Sequence, residues 1–113
     1  MSATFQDCTG LKEVSIINTK NITKMSSIFK NCQYLEEVGI MDLTNVTTLG
    51  DAFSSCARLT DTALNNILAS LANGTSVSTK TLSSIGLTST QATRCTSLSN
   101  WSAAQTAGWT TGY

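Results

Sequence analysis

Met1–Lys24 reads MSATFQDCTGLKEVSIINTKNITK, and Met25–Thr48 reads MSSIFKNCQYLEEVGIMDLTNVTT. Laid one on the other, they are identical at 10 of 24 positions: Met1/Met25, Ser2/Ser26, Phe5/Phe29, Cys8/Cys32, Leu11/Leu35, Glu13/Glu37, Val14/Val38, Ile16/Ile40, Asn21/Asn45 and Thr23/Thr47. A third copy opens with Leu49, Phe53, Cys56, Leu59, Asp61 and Leu64 in register and then departs from the pattern. A fixed period of this size marks a repeat protein, in which one unit cannot bury its apolar face alone and only stacking closes a core. Cys8, Cys32 and Cys56 therefore read as one column of small buried hydrophobes, with neighbours about 5 Å apart, rather than as a disulfide framework.

Within each unit, Met25, Ile28, Phe29 and Cys32 stand at i, i+3, i+4 and i+7, which predicts one face of a short helix. Leu11-x-x-Val14-x-Ile16 and Leu35-x-x-Val38-x-Ile40 predict a short strand whose alternate residues point inward. A period of 24 lies in the leucine-rich-repeat window. The expectation is an α/β fold: a short leucine-rich-repeat solenoid with parallel strands on one side, short helices on the other, and a C-terminal helical cap. Residues 1–61 would hold the repeats, and 62–113 an atypical last repeat and the cap. In that second part Asp61 is expected to cap a helix over Thr62–Leu71 that ends at Asn73-Gly74. Lys80–Leu87 is expected as a last strand. Thr88 or Ser89 would cap a helix reaching Cys95 or Leu98, and Ser99 one over Asn100–Ala107.

The chain's 7 basic and 7 acidic groups cancel, and only 12% of residues are charged. The 15 Ser and 19 Thr fill the gap, and there is no His or Pro. Zero net charge argues against nucleic acid, which needs a basic face, and against an anionic membrane surface. No apolar run approaches the length of a membrane span, so no membrane insertion is expected. Without His, the Ser-His-Asp and Cys-His relays are excluded and acid–base chemistry is poorly served, so an enzyme is not expected. No C-x-x-C pair and no EF-hand pattern is present, so neither metal nor cofactor is expected.

Val46-Thr-Thr-Leu49-Gly50-Asp51-Ala52-Phe53-Ser-Ser-Cys56-Ala-Arg-Leu59 resembles the repeats of the BspA-like leucine-rich-repeat family, and Ile22–Cys32 is similar with the Ala replaced. The resemblance covers residues 1–64, without the Pro that often follows the family's strand. Ala107-Gly-Trp-Thr-Thr-Gly-Tyr113 resembles endings of bacterial surface and phage tail proteins. The resemblance implies a non-catalytic recognition module, the C-terminal end of a bacterial cell-surface or phage tail adhesin. Its location would be extracellular, on a cell surface or a phage virion, and its partner a protein or glycan there. The alternative is a structural spacer with no ligand of its own. Met1 stands in full register with Met25, so further repeats or another domain are expected upstream, and self-association through an uncapped first repeat is expected without them.

The candidate ligand face is the outward side of the strands. Glu13 and Glu37 recur at one repeat position, continued by Asp61; Ser15 and Gly39, continued by Ala63, and Ile17 and Met41, continued by Asn65, flank them. Small residues would leave this face open to a partner, with Ile17 and Met41 exposed on it; the alternatives are that Ile17 and Met41 turn inward beneath the loop and that the carboxylate row is a plain solvated face. Asn21 and Asn45 fit Asn side chains bonding turn backbone. Four N-x-[ST] triplets, at Asn21, Asn45, Asn73 and Asn100, follow from a Ser/Thr-rich composition. Trp101, Trp109 and Tyr113 are expected to plug the last unit's core.

Overall fold

The computed structural model describes residues 4–14 and 19–113. Its elements are β1 (Glu13–Val14), β2 (Glu37–Val38), α1 (Asp61–Ala72), α2 (Ser89–Cys95) and α3 (Trp101–Thr106). β1 and β2 form a parallel two-stranded sheet, with Glu13 opposite Glu37 and Val14 opposite Val38.

The expected α/β leucine-rich-repeat solenoid, with parallel strands on one side and short helices on the other, is not what the chain forms. Among the described residues no helix precedes Asp61, each strand is two residues long, and the sheet stops at two strands. The molecule measures 34 × 30 × 22 Å with a radius of gyration of 12.2 Å. That is close to the roughly 13 Å of a compact domain of this length, and nearly as wide as it is long.

The segment Met25–Cys32, expected to be helical, is a run of turns. Its backbone N–H groups divide alternately between two partners. Those of Ile28, Lys30 and Cys32 reach back three residues to Met25 O, Ser27 O and Phe29 O, while those of Ser27, Phe29 and Asn31 leave the segment for Gly50 O, Ala52 O and Ser54 O. An α-helix would instead return the Phe29 and Asn31 N–H groups to the carbonyls of Met25 and Ser27, four residues back. The outward bonds require a left-handed backbone at Ser27 (φ 59°) and Asn31 (φ 62°). The same conformation recurs one period away at Asp51, and at Asp7 and Ser55. Short polar side chains tolerate it better than branched ones.

These outward bonds make a ladder from turn to turn. Phe5 and Asp7 donate to Ile28 O and Lys30 O at 3.0 and 2.8 Å; Asp51 and Phe53 donate to Ser84 O and Ile85 O at 2.9 and 2.8 Å. Leu82 and Ser83 donate in turn to Thr110 O and Thr111 O. Lys80–Leu87, expected as a strand, is therefore a further turn, with an isolated bridge between Thr81 and Thr110. Gly86 has φ +97°, and a Cβ there would stand 2.5 Å from Ser54 N. No other residue allows this turn to sit so close on the preceding one.

The core follows the ladder. The rings of Phe5 and Phe29 stack at 5.5 Å, and those of Phe29 and Phe53 at 5.6 Å. The Cys32 thiol donates to Phe5 O and the Cys56 thiol to Phe29 O, both at 3.0 Å. The recurring Cys thus combines a small apolar volume with a donor for the Phe carbonyl of the preceding unit. Burial pushes the Cys56 thiol up to about 12 and the Cys95 thiol to about 11, and it also raises Cys32. All four cysteines are free; Cys8 is only half-buried.

Helix α1 covers the edge of β2 where a third strand would lie. Asn66 Nδ2 donates to Val38 O at 3.0 Å, and Ser70 Oγ accepts from Met41 N at 2.8 Å. Two side chains of a helix thus satisfy the edge that backbone would otherwise pair, which is why the sheet ends. The helix begins one residue earlier than expected, with Thr60 rather than Asp61 as its cap; Thr60 Oγ1 accepts from Ala63 N at 3.1 Å. A reciprocal capping box between Thr88 and Gln91 opens α2, which ends at Cys95. The expected Ser99 cap is absent from α3, because Asn65 engages this junction: Ser99 Oγ accepts from Asn65 Nδ2, and Asn100 Nδ2 donates to Asn65 O. Side chains of α2 finish the third turn, Gln91 Nε2 on Cys56 O at 2.8 Å and Arg94 Nη2 on Leu59 O at 3.0 Å. Trp109 is buried, Trp101 is half-buried, and Tyr113 is exposed with its hydroxyl on Leu87 O.

Candidate recognition face

The two strands place Glu13 directly opposite Glu37, held by Gly39 N–H donating to Val14 O at 2.7 Å and Glu36 N–H donating to Lys12 O at 2.7 Å. Glu13 is exposed and Glu37 half-buried. The Thr60 hydroxyl donates to Glu37 Oε1 at 2.6 Å and so fixes that carboxylate's direction. Lys12, Glu13, Glu36 and Glu37 line a shallow groove of about 330 Å³. Among the described residues the one ion pair is Arg94–Asp61, so these three glutamates have no such partner there.

The expected row is incomplete. Ser15 and Ile17 lie outside the described residues. Gly39 is half-buried and belongs to the strand edge. Met41, placed on the outward side as a candidate with an inward turn as the alternative, takes the inward turn and is 1% exposed, while Ile40, expected inward, is 58% exposed. Strand alternation ends at Val38: the chain then bends so that Met41 and Leu43 enter the core, and Ser70 of α1 accepts from the Met41 N–H. Further along the row, Ala63 is buried within α1 and Asn65 bonds Ser99 and Asn100. Asp61 leaves the carboxylate row to open α1 and meets Arg94 at 2.7 Å. A third unit that becomes a helix cannot extend either row.

One neighbouring contact was not anticipated from the sequence. The Arg58 guanidinium lies 4.6 Å from the centre of the Tyr34 ring, a cation over an aromatic face. These residues are 24 apart, so the repeat register carried the signal. Asn45 Nδ2 donates to Lys20 O at 2.7 Å, the turn-bonding role expected of that Asn. Asp42 lies beyond the face; the Thr44 hydroxyl, and then the Thr44 N–H, hold its carboxyl below the usual carboxylate range. Among the described residues no group of three or more His, Cys, Asp or Glu is placed to hold a metal ion, and no helix is long and apolar enough to cross a membrane.

Units of 24 residues whose turns pair with the next unit's, with α1 packed on the final sheet edge and α2 and α3 packed on α1, define a repeat-type protein built on turns. The chain belongs to the family described as Mycoplasma protein of unknown function, DUF285, whose model matches residues 1–83. No curated protein and no solved structure matches the chain.

Proposed function

We propose that this chain is a non-catalytic recognition module, BspA-like in kind, that displays the Glu13–Glu37 face to a protein or glycan on a host or cell surface, outside the cell or on a phage virion. The observation that carries this reading is the pairing of Glu13 with Glu37 across the two strands, with no cation paired to either among the described residues. Like charges directly opposite each other destabilise a sheet. Local conflicts of this sort are characteristic of functional sites, where recognition outweighs stability. Thr60 adds support, because a carboxylate held in one direction loses less freedom when a ligand engages it. The resemblance of Val46–Leu59 to BspA-like repeats supports the choice of class.

The test is binding of the labelled chain to bacterial and host cells and to a glycan array, compared with Glu13→Lys and Glu37→Lys. Each reversal is expected to weaken binding about tenfold, the effect of losing one charged contact and adding a repulsive one. Binding that survives both reversals rejects the face, and absence of any binding favours the spacer.

A further inference from the structure

Register position 10 of the units carries Gly10, Tyr34 and Arg58. Arg58 covers one face of the Tyr34 ring at 4.6 Å. One register step in the other direction stands Gly10, where a Cβ would meet nothing within 4 Å. Tyr34 itself is 44% exposed. The ring thus has a guanidinium over it and still keeps much of its surface free, and the same register position one unit earlier carries no side chain that could cover it. Two residues along, Glu36 begins the groove in which three carboxylates stand against the single ammonium of Lys12. We propose that the open face of Tyr34, together with this groove, takes an arginine side chain of a partner protein. This rests on the recognition reading above and names its ligand chemistry.

The charge of the occupant follows from the acid excess of the groove. Its shape follows from Arg58, which shows within the chain what this ring accepts. A guanidinium is planar, weakly hydrated and able to stack while donating sideways to a carboxylate; an ammonium carries the charge without the plane. The occupant is thus a second guanidinium on the opposite face of the same ring, with Glu36 or Glu13 as acceptor.

The probes are the capped peptides acetyl-Gly-Arg-Gly-amide, its Lys counterpart and its Glu counterpart, titrated to millimolar concentration into the full chain while the Tyr34 ring protons are followed by NMR. The Arg peptide is expected to shift them, more tightly than Lys, with affinity falling as salt rises; the Glu peptide is expected to leave them in place. Tyr34→Leu, followed through the Glu36 and Glu37 amides instead, should weaken Arg-peptide binding about two- to fivefold, the value of an exposed cation–aromatic contact. Gly10→Arg should weaken it about tenfold, since the new side chain fills the slot and repels the ligand. Gly10 lacks a positive φ, so the substitution carries no backbone penalty. An unmoved Tyr34 ring, or equal affinity in Gly10→Arg, overturns the inference. Cell binding that depends on Glu13 and Glu37 while the peptide leaves Tyr34 unmoved sinks the slot alone; a Tyr34 shift that weakens in Gly10→Arg, without cell binding, supports the slot and faults the recognition reading.

Discussion

Replacing Phe29 by Ala removes the middle ring of the Phe5–Phe29–Phe53 stack. Phe29 is fully buried and touches an aromatic neighbour on each side, at 5.5 and 5.6 Å. Large-to-small changes of a buried Phe cost about 3–5 kcal/mol. Each stacked pair adds about 0.5–1.5 kcal/mol beyond area burial, and this substitution loses two pairs. The expected loss therefore lies at the upper end, about 4–5 kcal/mol, a large fraction of the roughly 5–15 kcal/mol that holds a small domain folded. Phe5→Ala is the internal control. Phe5 is half-buried and has one ring contact among the described residues, so about 1.5–3 kcal/mol is expected. Urea unfolding followed by Trp fluorescence measures both, with the midpoint falling and the slope unchanged if the transition stays two-state. Equal losses at the two positions, or a Phe29→Ala loss below about 2 kcal/mol, would refute the stacked core as the main source of stability.

Three further outcomes follow from the same geometry. Ser55 holds φ 62°, so Ser55→Val should destabilise by about 1–2 kcal/mol while Ser55→Gly stays near neutral, read by thermal melts. Burial raises the Cys56 and Cys95 thiols from 9.0 to about 12 and about 11. Raised folded values favour the protonated native form, so this stability is fully present below pH 9 and is lost as pH climbs towards the folded values. The urea midpoint should fall between pH 8.5 and 10.5, and Cys56→Ala should flatten that fall; an identical slope in the variant would reject the assignment. Arg94 serves both Asp61 and Leu59 O, so Arg94→Ala should cost about 1–2 kcal/mol by orphaning a carbonyl, while Asp61→Ala, losing only an exposed pair, should cost less than about 1 kcal/mol in chemical denaturation.

What was legible in the sequence was spacing. The 24-residue period placed Phe5, Phe29 and Phe53 in one stack and Cys32 and Cys56 on matching carbonyls. The Thr88–Gln91 capping box is a local signal, and the helix to Cys95 follows it. Conformation within the unit was not legible. Met25, Ile28, Phe29 and Cys32 have helical spacing, but eight residues with that spacing also fit turns that send every second N–H to the next unit. Only the neighbouring Gly50, Ala52 and Ser54 carbonyls decide between them, and those are tertiary partners. The candidate face suffered likewise. Glu13 and Glu37 fell together because register alone places them. Met41 turned inward because α1 supplies Ser70 to its N–H, a partner 29 residues away. The Tyr34–Arg58 contact followed from the same register as the Phe stack, yet an aromatic beside a cation has no sequence signature of its own.

The claim that turn-to-turn pairing, rather than helices and strands, organises the first three units is tested most directly by NMR of the isotope-labelled chain. The account predicts contacts between the Phe29 amide and the Ala52–Phe53 backbone, positive-φ couplings at Ser27 and Asn31, and slow exchange at the Phe29 and Asn31 amides with fast exchange at Ala57. An unbroken series of helical i to i+3 and i+4 contacts through Met25–Cys32, with no contact to residues 50–54, would contradict it.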